Sequence, residues 1–267
     1  MTRQPAPMRA RKRFGQNFLT DDSVIERIAG AIAPREGERL IEIGPGQGAL
    51  TEALLAAHGA LDVIELDRDL IPGLRARFFN YPDLRIIEGD ALAFDFAALR
   101  GDGPALRVVG NLPYNISTPL IFHLLAAGDA IRDMHFMLQK EVVARLAAEP
   151  GSGDWGRLSV MTRYYCDVIS LFDVPPSAFV PQPKVDSAVV RLVPRRGDRL
   201  HAHDEQRLSD LVRRAFAQRR KTLRNNLRGV IDAAELEALG IDPGRRPETL
   251  GVAAYVAIAN HLHEAAS

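Results

Sequence analysis

From about residue 39 onward, short apolar runs alternate with longer stretches of helical periodicity. The runs at 39–43, 61–66, 84–87, 106–109 and 134–138 have the length and apolar character of buried strands. Residues 48–58, 68–79, 118–127 and 140–148 lie between or after them and read as helices. Strands alternating with helices predict βαβ units and a mostly parallel sheet. Two further β-rich stretches, 166–174 and 185–193, flank a segment with four prolines between Pro175 and Pro183. They predict antiparallel pairing at one sheet edge. After Pro194 strand signals stop. Leu208, Leu211, Val212, Ala215 and Phe216 form an amphipathic helical stripe, and a last helix is predicted over 252–263. The pattern divides the chain into an N-terminal arm and helix over 1–38, an α/β domain over 39–196, and a small all-α domain over 197–267.

Composition changes this picture little. Hydrophobic residues make up 46% and charged residues 25% of the 267, which excludes a disordered chain or a coiled coil. No apolar run approaches the roughly 18 residues needed to cross a bilayer. The N-terminus lacks the apolar core of a signal peptide, so no membrane association and a cytoplasmic location are expected. The single cysteine, Cys166, has no partner for an internal disulfide. Charge is more informative. The chain is neutral overall, yet residues 1–13 carry five basic and no acidic groups, and residues 14–110 carry nine against sixteen. Residues 191–267 carry fourteen against ten. Basic ends around an acidic middle fit either a polyanion partner or plain solvated surface.

The chemistry begins at Glu42-Ile43-Gly44-Pro45-Gly46-Gln47-Gly48, which follows the first strand and opens a helix. Glycines there let the backbone approach a ligand with no Cβ in the way. About twenty residues on, the second strand reaches Glu65, placed to accept from a ribose diol. Together these point to an adenosine-containing cofactor at the carboxyl edge of a doubly wound sheet. Both a nicotinamide or flavin dehydrogenase and an S-adenosylmethionine methyltransferase fit so far. The dehydrogenase fingerprint is G-x-G-x-x-G, whereas here the third glycine, Gly48, comes one residue early. The third strand runs into Gly89-Asp90-Ala91, where Asp90 reads as an acceptor for an adenine amino group or as a helix N-cap.

Asn111-Leu112-Pro113-Tyr114, at the end of the fourth strand, decides between the classes. The exocyclic amine of adenine is a poor nucleophile because its lone pair is delocalised into the ring. A site that methylates it needs acceptors for both N–H hydrogens and a flat surface for a base removed from its helix. Asn111 offers a side-chain oxygen, Leu112 or Pro113 a backbone carbonyl, and Tyr114 a stacking ring.

These residues carry a family resemblance. Asn111–Tyr114 with EIGPGQGALT at 42–51 resembles methyltransferases acting on adenine N6. RKRFGQNFL at 11–19, IELDRDL at 64–70, GNLPYNISTPL at 110–120, FMLQKEVVARL at 136–146, VPPSAFVPQPKVDSAVVRLVP at 174–194 and FAQRRKTLRNNL at 216–227 narrow it. Over almost its whole length the chain resembles the bacterial ribosomal RNA adenine dimethyltransferases. The resemblance implies a Rossmann-like S-adenosylmethionine-dependent fold and dimethylation of N6 on two adjacent adenosines. Their place is a hairpin loop near the 3′ end of small-subunit ribosomal RNA. It also implies a role in late subunit biogenesis and cofactor contacts at Asn17, Leu19, Gly44, Glu65, Asp90 and Asn111. Apart from the resemblance, Asn17 reads as a helix cap ahead of Thr20-Asp21-Asp22. Trp155 departs from the pattern, standing where tyrosine is expected before GRLSV, and reads as a packing change.

The basic ends then acquire a role. Between Asp210 and Asp232 there are seven basic residues and no acid. Arg214, Lys221 and Arg228 recur every seven residues, preceded by Arg207, and would form one stripe on a continuous helix suited to RNA phosphates. Arg219, Arg220, Lys221 and Arg224, with Arg11, Lys12 and Arg13 at the other end, are the expected RNA contacts. Phe179 reads as a clamp on the target base opposite Tyr114, or as core. There is no P-loop, HExxH or Cys-x-x-Cys, so no metal is expected, and the expected state is a monomer bound to the small ribosomal subunit. Competing readings are a large-subunit methyltransferase of antibiotic resistance and an assembly factor with a mainly non-catalytic role.

Overall fold

The computed structural model describes residues 17–113, 115–197 and 200–265. Arg11, Lys12, Arg13 and Tyr114 lie outside them. Strands are β1 (Phe18–Leu19), β2 (Arg39–Ile43), β3 (Leu61–Glu65), β4 (Leu84–Glu88), β5 (Leu106–Asn111), β6 (Ile131–Gln139), β7 (Cys166–Val174), β8 (Phe179–Val180) and β9 (Ser187–Pro194). Seven of them form one sheet in the order β4-β3-β2-β5-β6-β9-β7. Strands β2 to β6 pair in parallel, and β9 joins β6 antiparallel with Met134 opposite Leu192. The expected antiparallel addition is therefore present. The first five residues of β5 are buried, as a central parallel strand covered on both faces requires.

Helices α1 (Asp22–Ile32), α2 (Ala49–His58), α3 (Ile71–Arg77), α4 (Phe96–Arg100) and α5 (Ser117–Ala126) accompany this sheet. Asp21, not Asn17, caps α1: its carboxylate accepts from the Ser23 and Val24 N–H groups. Ile25, Ile28 and Ile32 are its buried stripe. The helix predicted over 68–79 is shorter because Asp67–Leu70 closes a turn and Pro72 sits in the first turn of α3. Strand order departs in opposite directions from β2 and β5, which makes a switch point and a crevice at their carboxyl ends.

At the other end of the same strands Arg107, 5% exposed, anchors the packing. Its guanidinium bonds Asp133 at 2.9 Å, Glu38 at 2.6 Å and the Ile32 carbonyl at 2.8 Å. Burial works against the charge of Asp133 and Glu38. The Arg35 N–H, Arg107 and Arg132 outweigh it at Glu38, and Arg107 with Arg191 at Asp133, so both carboxyls are held below their usual range.

The chain forms two compact units, and the division differs from the sequence boundary near 197. Among the described residues, one unit runs to Lys140 and adds Ser170–Leu192; the other holds Glu141–Ile169 and the residues from Val193 on. The second contains α6 (Lys140–Ala147) from its second residue on, α7 (Arg157–Tyr165), α8 (Glu205–Ala215), α9 (Leu223–Asn226), α10 (Ala233–Ala238) and α11 (Val252–Glu264). Trp155 and Tyr164, each 1% exposed, explain why 141–169 belongs there. The indole N–H donates to the Leu250 carbonyl at 3.0 Å, and the Tyr164 hydroxyl accepts from Ala202 N–H at 3.2 Å. The continuous basic helix is not formed. Helix α8 ends at Ala215, turns follow, and Arg207 turns back to the Leu262 carbonyl.

Replacing Arg107 by Met should destabilise the protein by about 3 kcal/mol, because two buried carboxylates lose their buried partner and keep only the more exposed Arg132 and Arg191. Urea unfolding at pH 7 measures this, and at pH 3, where the carboxylates begin to protonate, the deficit should shrink.

Candidate functional site

The crevice at the switch point is a cavity whose wall includes Asn17, Leu19, Gly44, Glu65, Asp90, Asn111, Leu112, Pro113 and Phe179. The six expected cofactor contacts are thus brought together from five separate stretches of chain. Gly44 has φ +68, and a Cβ there would meet nothing within 4 Å, so it would project into open space. Gly110 is needed for a different reason: a Cβ would lie 2.6 Å from the Ile43 carbonyl oxygen, where β5 closes on β2.

Glu65 ends β3 and is 5% exposed. Its carboxylate accepts from Gly46 N–H at 3.2 Å and Asp67 N–H at 2.8 Å, one on each oxygen. That holds the group rigidly and leaves further lone pairs. Burial pushes its pKa up, the two amide bonds opposing. Asp90 accepts from Leu92 N–H at 2.9 Å in a loop, and Asp95, not Asp90, caps α4. The N-cap reading of Asp90 therefore fails, and the residue faces the cavity.

Asn111, at the end of β5, donates through Nδ2 to the Asn17 carbonyl at 3.1 Å. The bond uses one of the amide's two N–H donors and leaves its oxygen as an acceptor. Leu112 is 1% exposed and held by its N–H to the Met137 carbonyl at 3.2 Å. The Pro113 carbonyl accepts from Ile116 N–H at 3.2 Å. Of the two candidate backbone acceptors, Leu112 is the better placed, because Pro113 serves the turn.

Phe179 does not present an open stacking face. It is 2% exposed and packs in the core with Leu19, Val174 and Val189, touching the cavity only as wall. Arg219, Arg220, Lys221 and Arg224 are all exposed, and none is in an ion pair among the described residues. Arg219 donates to the Gly153 carbonyl.

Sequence reasoning missed Leu66, Glu42 and His135. Leu66 lines the cavity although 52% exposed; the run at 61–66 reads it into the strand, whereas β3 ends at Glu65. Glu42 is 2% exposed, and Thr51 Oγ1 donates to it at 2.6 Å. Burial first, and the charge of Glu65 second, push its pKa up to about 7 against the Thr51 bond. No group of three or more His, Cys, Asp or Glu side chains able to hold a metal is found among the described residues.

The ribosomal RNA adenine dimethylase family model matches residues 8–264. The chain belongs to this family. Among rRNA adenine dimethylases, it is 66% identical over 270 residues to a protein named ribosomal RNA small subunit methyltransferase A from Chromohalobacter salexigens, covering 100% of this chain and 96% of that one. A Pseudomonas aeruginosa protein of the same name is 61% identical, with 96% of each chain covered. A solved dimethyladenosine transferase from Plasmodium falciparum superposes with a TM-score of 0.80 at 25% identity, over 92% of this chain and 97% of that one. The 23S rRNA methyltransferase ErmE gives 0.72 at 26%, over 92% and 100%. This rRNA adenine dimethylase is therefore a Rossmann-like, S-adenosylmethionine-dependent rRNA adenine methyltransferase. The cavity fits that cofactor: a rigid acceptor at Glu65, a second at Asp90, and the Cβ-free approach at Gly44.

Glu42 makes a pH prediction for the ligand-free protein. Its folded pKa, about 7, lies above the ordinary 4.5. Stability should be fullest below 4.5 and fall as pH rises to 7, by about 3 kcal/mol at most. Thermal melts should show Glu42→Gln gaining over wild type at pH 8 and matching it at pH 5.

Proposed function

We propose that this enzyme methylates N6 of two adjacent adenosines in a hairpin loop near the 3′ end of 16S ribosomal RNA. The product is N6,N6-dimethyladenosine, and the setting is late assembly of the small subunit in the cytoplasm. Identity of 66% to a small subunit methyltransferase over the full chain supports the choice of subunit. The observation that carries the chemistry is the Asn111 amide, held by the Asn17 carbonyl at the cavity rim.

Glu65 and Asp90 accept from the adenosine part of S-adenosylmethionine, while Asn17, Leu19 and Gly44 contribute the backbone around it. When bound, the cofactor supplies a methyl already activated by its sulfonium. Asn111 Oδ1 and the Leu112 carbonyl take the two N6 hydrogens of the target adenine and favour a pyramidal nitrogen. Tyr114 supplies the stacking surface. Alignment is the main contribution, worth about 7–11 kcal/mol where geometry is good. The proton leaves to water, since a nitrogen that has given up its lone pair is acidic. Exposed Arg219, Arg220, Lys221 and Arg224, together with Arg11, Lys12 and Arg13, hold RNA phosphates.

Incubation with S-adenosylmethionine and unmethylated small subunits, followed by nucleoside mass spectrometry, should give N6,N6-dimethyladenosine at two adjacent positions. Asn111→Ala should lower the rate at least about 100-fold, the scale of a lost transition-state acceptor. Product on large-subunit RNA alone would move the assignment to the resistance-type enzyme, and binding without methylation to an assembly factor. Replacing Arg224 by Ala should weaken subunit binding and reduce the slope of log K against log salt by about 1.

A further inference from the structure

The second unit has a groove of its own, about 550 Å³ in volume, whose wall includes Arg224, Asn225, Arg228, Val230, Ile231 and Asp232. Its frame is fixed by hydrogen bonds. Leu223 N–H donates to the Arg245 carbonyl at 2.8 Å, and Arg224 N–H to the Pro243 carbonyl at 3.1 Å. The Arg214 guanidinium donates to the Arg228 carbonyl at 2.8 Å. Asn226 Nδ2 donates to the Gln218 and Lys221 carbonyls, at 3.1 and 3.2 Å. The carboxylates of the wall are engaged as well. Asp232 and Glu235 cap α10 reciprocally, and Glu235 also meets His261 Nε2 at 3.2 Å. The Arg224 and Arg228 guanidiniums and the Asn225 amide differ from all of these. They are exposed, and none has a side-chain hydrogen bond or ion pair among the described residues.

The composition of the groove says what fits it. Half-buried Val230 and Ile231, the latter 5% exposed, give it an apolar surface. Gly229 has φ +76, and a Cβ there would meet nothing within 4 Å, so the wall is bare at that point. Two cations, one amide that both donates and accepts, and an apolar surface suit an anion joined to a flat body with hydrogen-bonding edges. An RNA nucleotide has that make-up. Duplex RNA does not offer it, because its bases are stacked and it presents phosphates and 2′-hydroxyls instead. We propose that this groove takes one unpaired nucleotide of the RNA substrate. Arg224 and Arg228 hold its phosphate, Val230 and Ile231 its base, and the Asn225 amide an edge of that base. The guanidiniums position the strand and the amide specifies the nucleotide. The inference rests on the RNA-substrate reading above.

Fluorescence anisotropy of the full chain with labelled single-stranded octamers of adenylate, cytidylate and uridylate, and with a mixed-sequence duplex, tests it. For the octamer bound best, Asn225→Ala should lose about fivefold in affinity, the worth of one neutral hydrogen bond. Its salt dependence should not change, and its affinity for the duplex should match wild type. Arg228→Ala should lose about tenfold on the same octamer and lower the slope of log K against log salt by about 0.7, whereas Arg228→Lys should keep the slope. Both side chains are exposed, so melting temperatures equal to wild type are expected. An Asn225→Ala variant that binds the octamers like wild type, or loses equally on octamer and duplex, would overturn the proposal. Displacement of the octamer by polyglutamate as readily as by unlabelled RNA of equal charge would overturn it in favour of an acidic polypeptide. Failure of the wild type to bind any of these RNAs or to methylate ribosomal subunits would instead remove the RNA-substrate reading, and this inference with it.

Discussion

A single guanidinium sets the geometry on which the catalytic unit is built. Arg107 joins the last turn of α1, the approach to β2, and strands β5 and β6 at their amino ends. Its partners lose their hydration on folding, so each depends on the others for compensation. The clamp lies at the end of the strands away from the cavity. Polar anchoring is concentrated there, and the carboxyl ends are left to diverge around a ligand.

The carboxyl ends carry the opposite electrostatics. Glu42 and Glu65 are buried near one another with no cation beside them among the described residues, and both are pushed toward the neutral form. The fold tolerates this because amide N–H groups and Thr51 supply directed hydrogen bonds. A site held by backbone amides keeps its acceptors in place when the cofactor leaves. Such a site is preorganised for a ligand rich in hydroxyl and amino hydrogens, at some expense in ligand-free stability.

Most of this was legible in the chain where a period or a spacing carried it. Strands β2 and β3 and helix α2 were found within a residue, because apolar runs and the glycine-rich turn bound them sharply. Helix α7 was not found: Leu158, Ser159, Val160, Met161, Thr162 and Tyr164 are all buried, so it has no polar face to mark a helical period. The β1–β8 pair escaped because two-residue strands have no alternation to read. Asp90 and Phe179 show a different limit. Each residue type fits two roles, and only the third dimension places Asp90 on the cavity and Phe179 in the core. The seven-residue recurrence of Arg214, Lys221 and Arg228 misled for a similar reason, since chain turns after Ala215 break the helix that would have aligned them.

The orientation of the Asn111 amide carries one further consequence. With one amide N–H committed to the Asn17 carbonyl, the side chain is held and its oxygen serves as an acceptor in the proposed reaction. The acceptors count there. Adenine arrives with two hydrogens for them, leaves the first transfer with one, and after the second has none, so the finished base has lost the contacts that held it and is the species the site retains least.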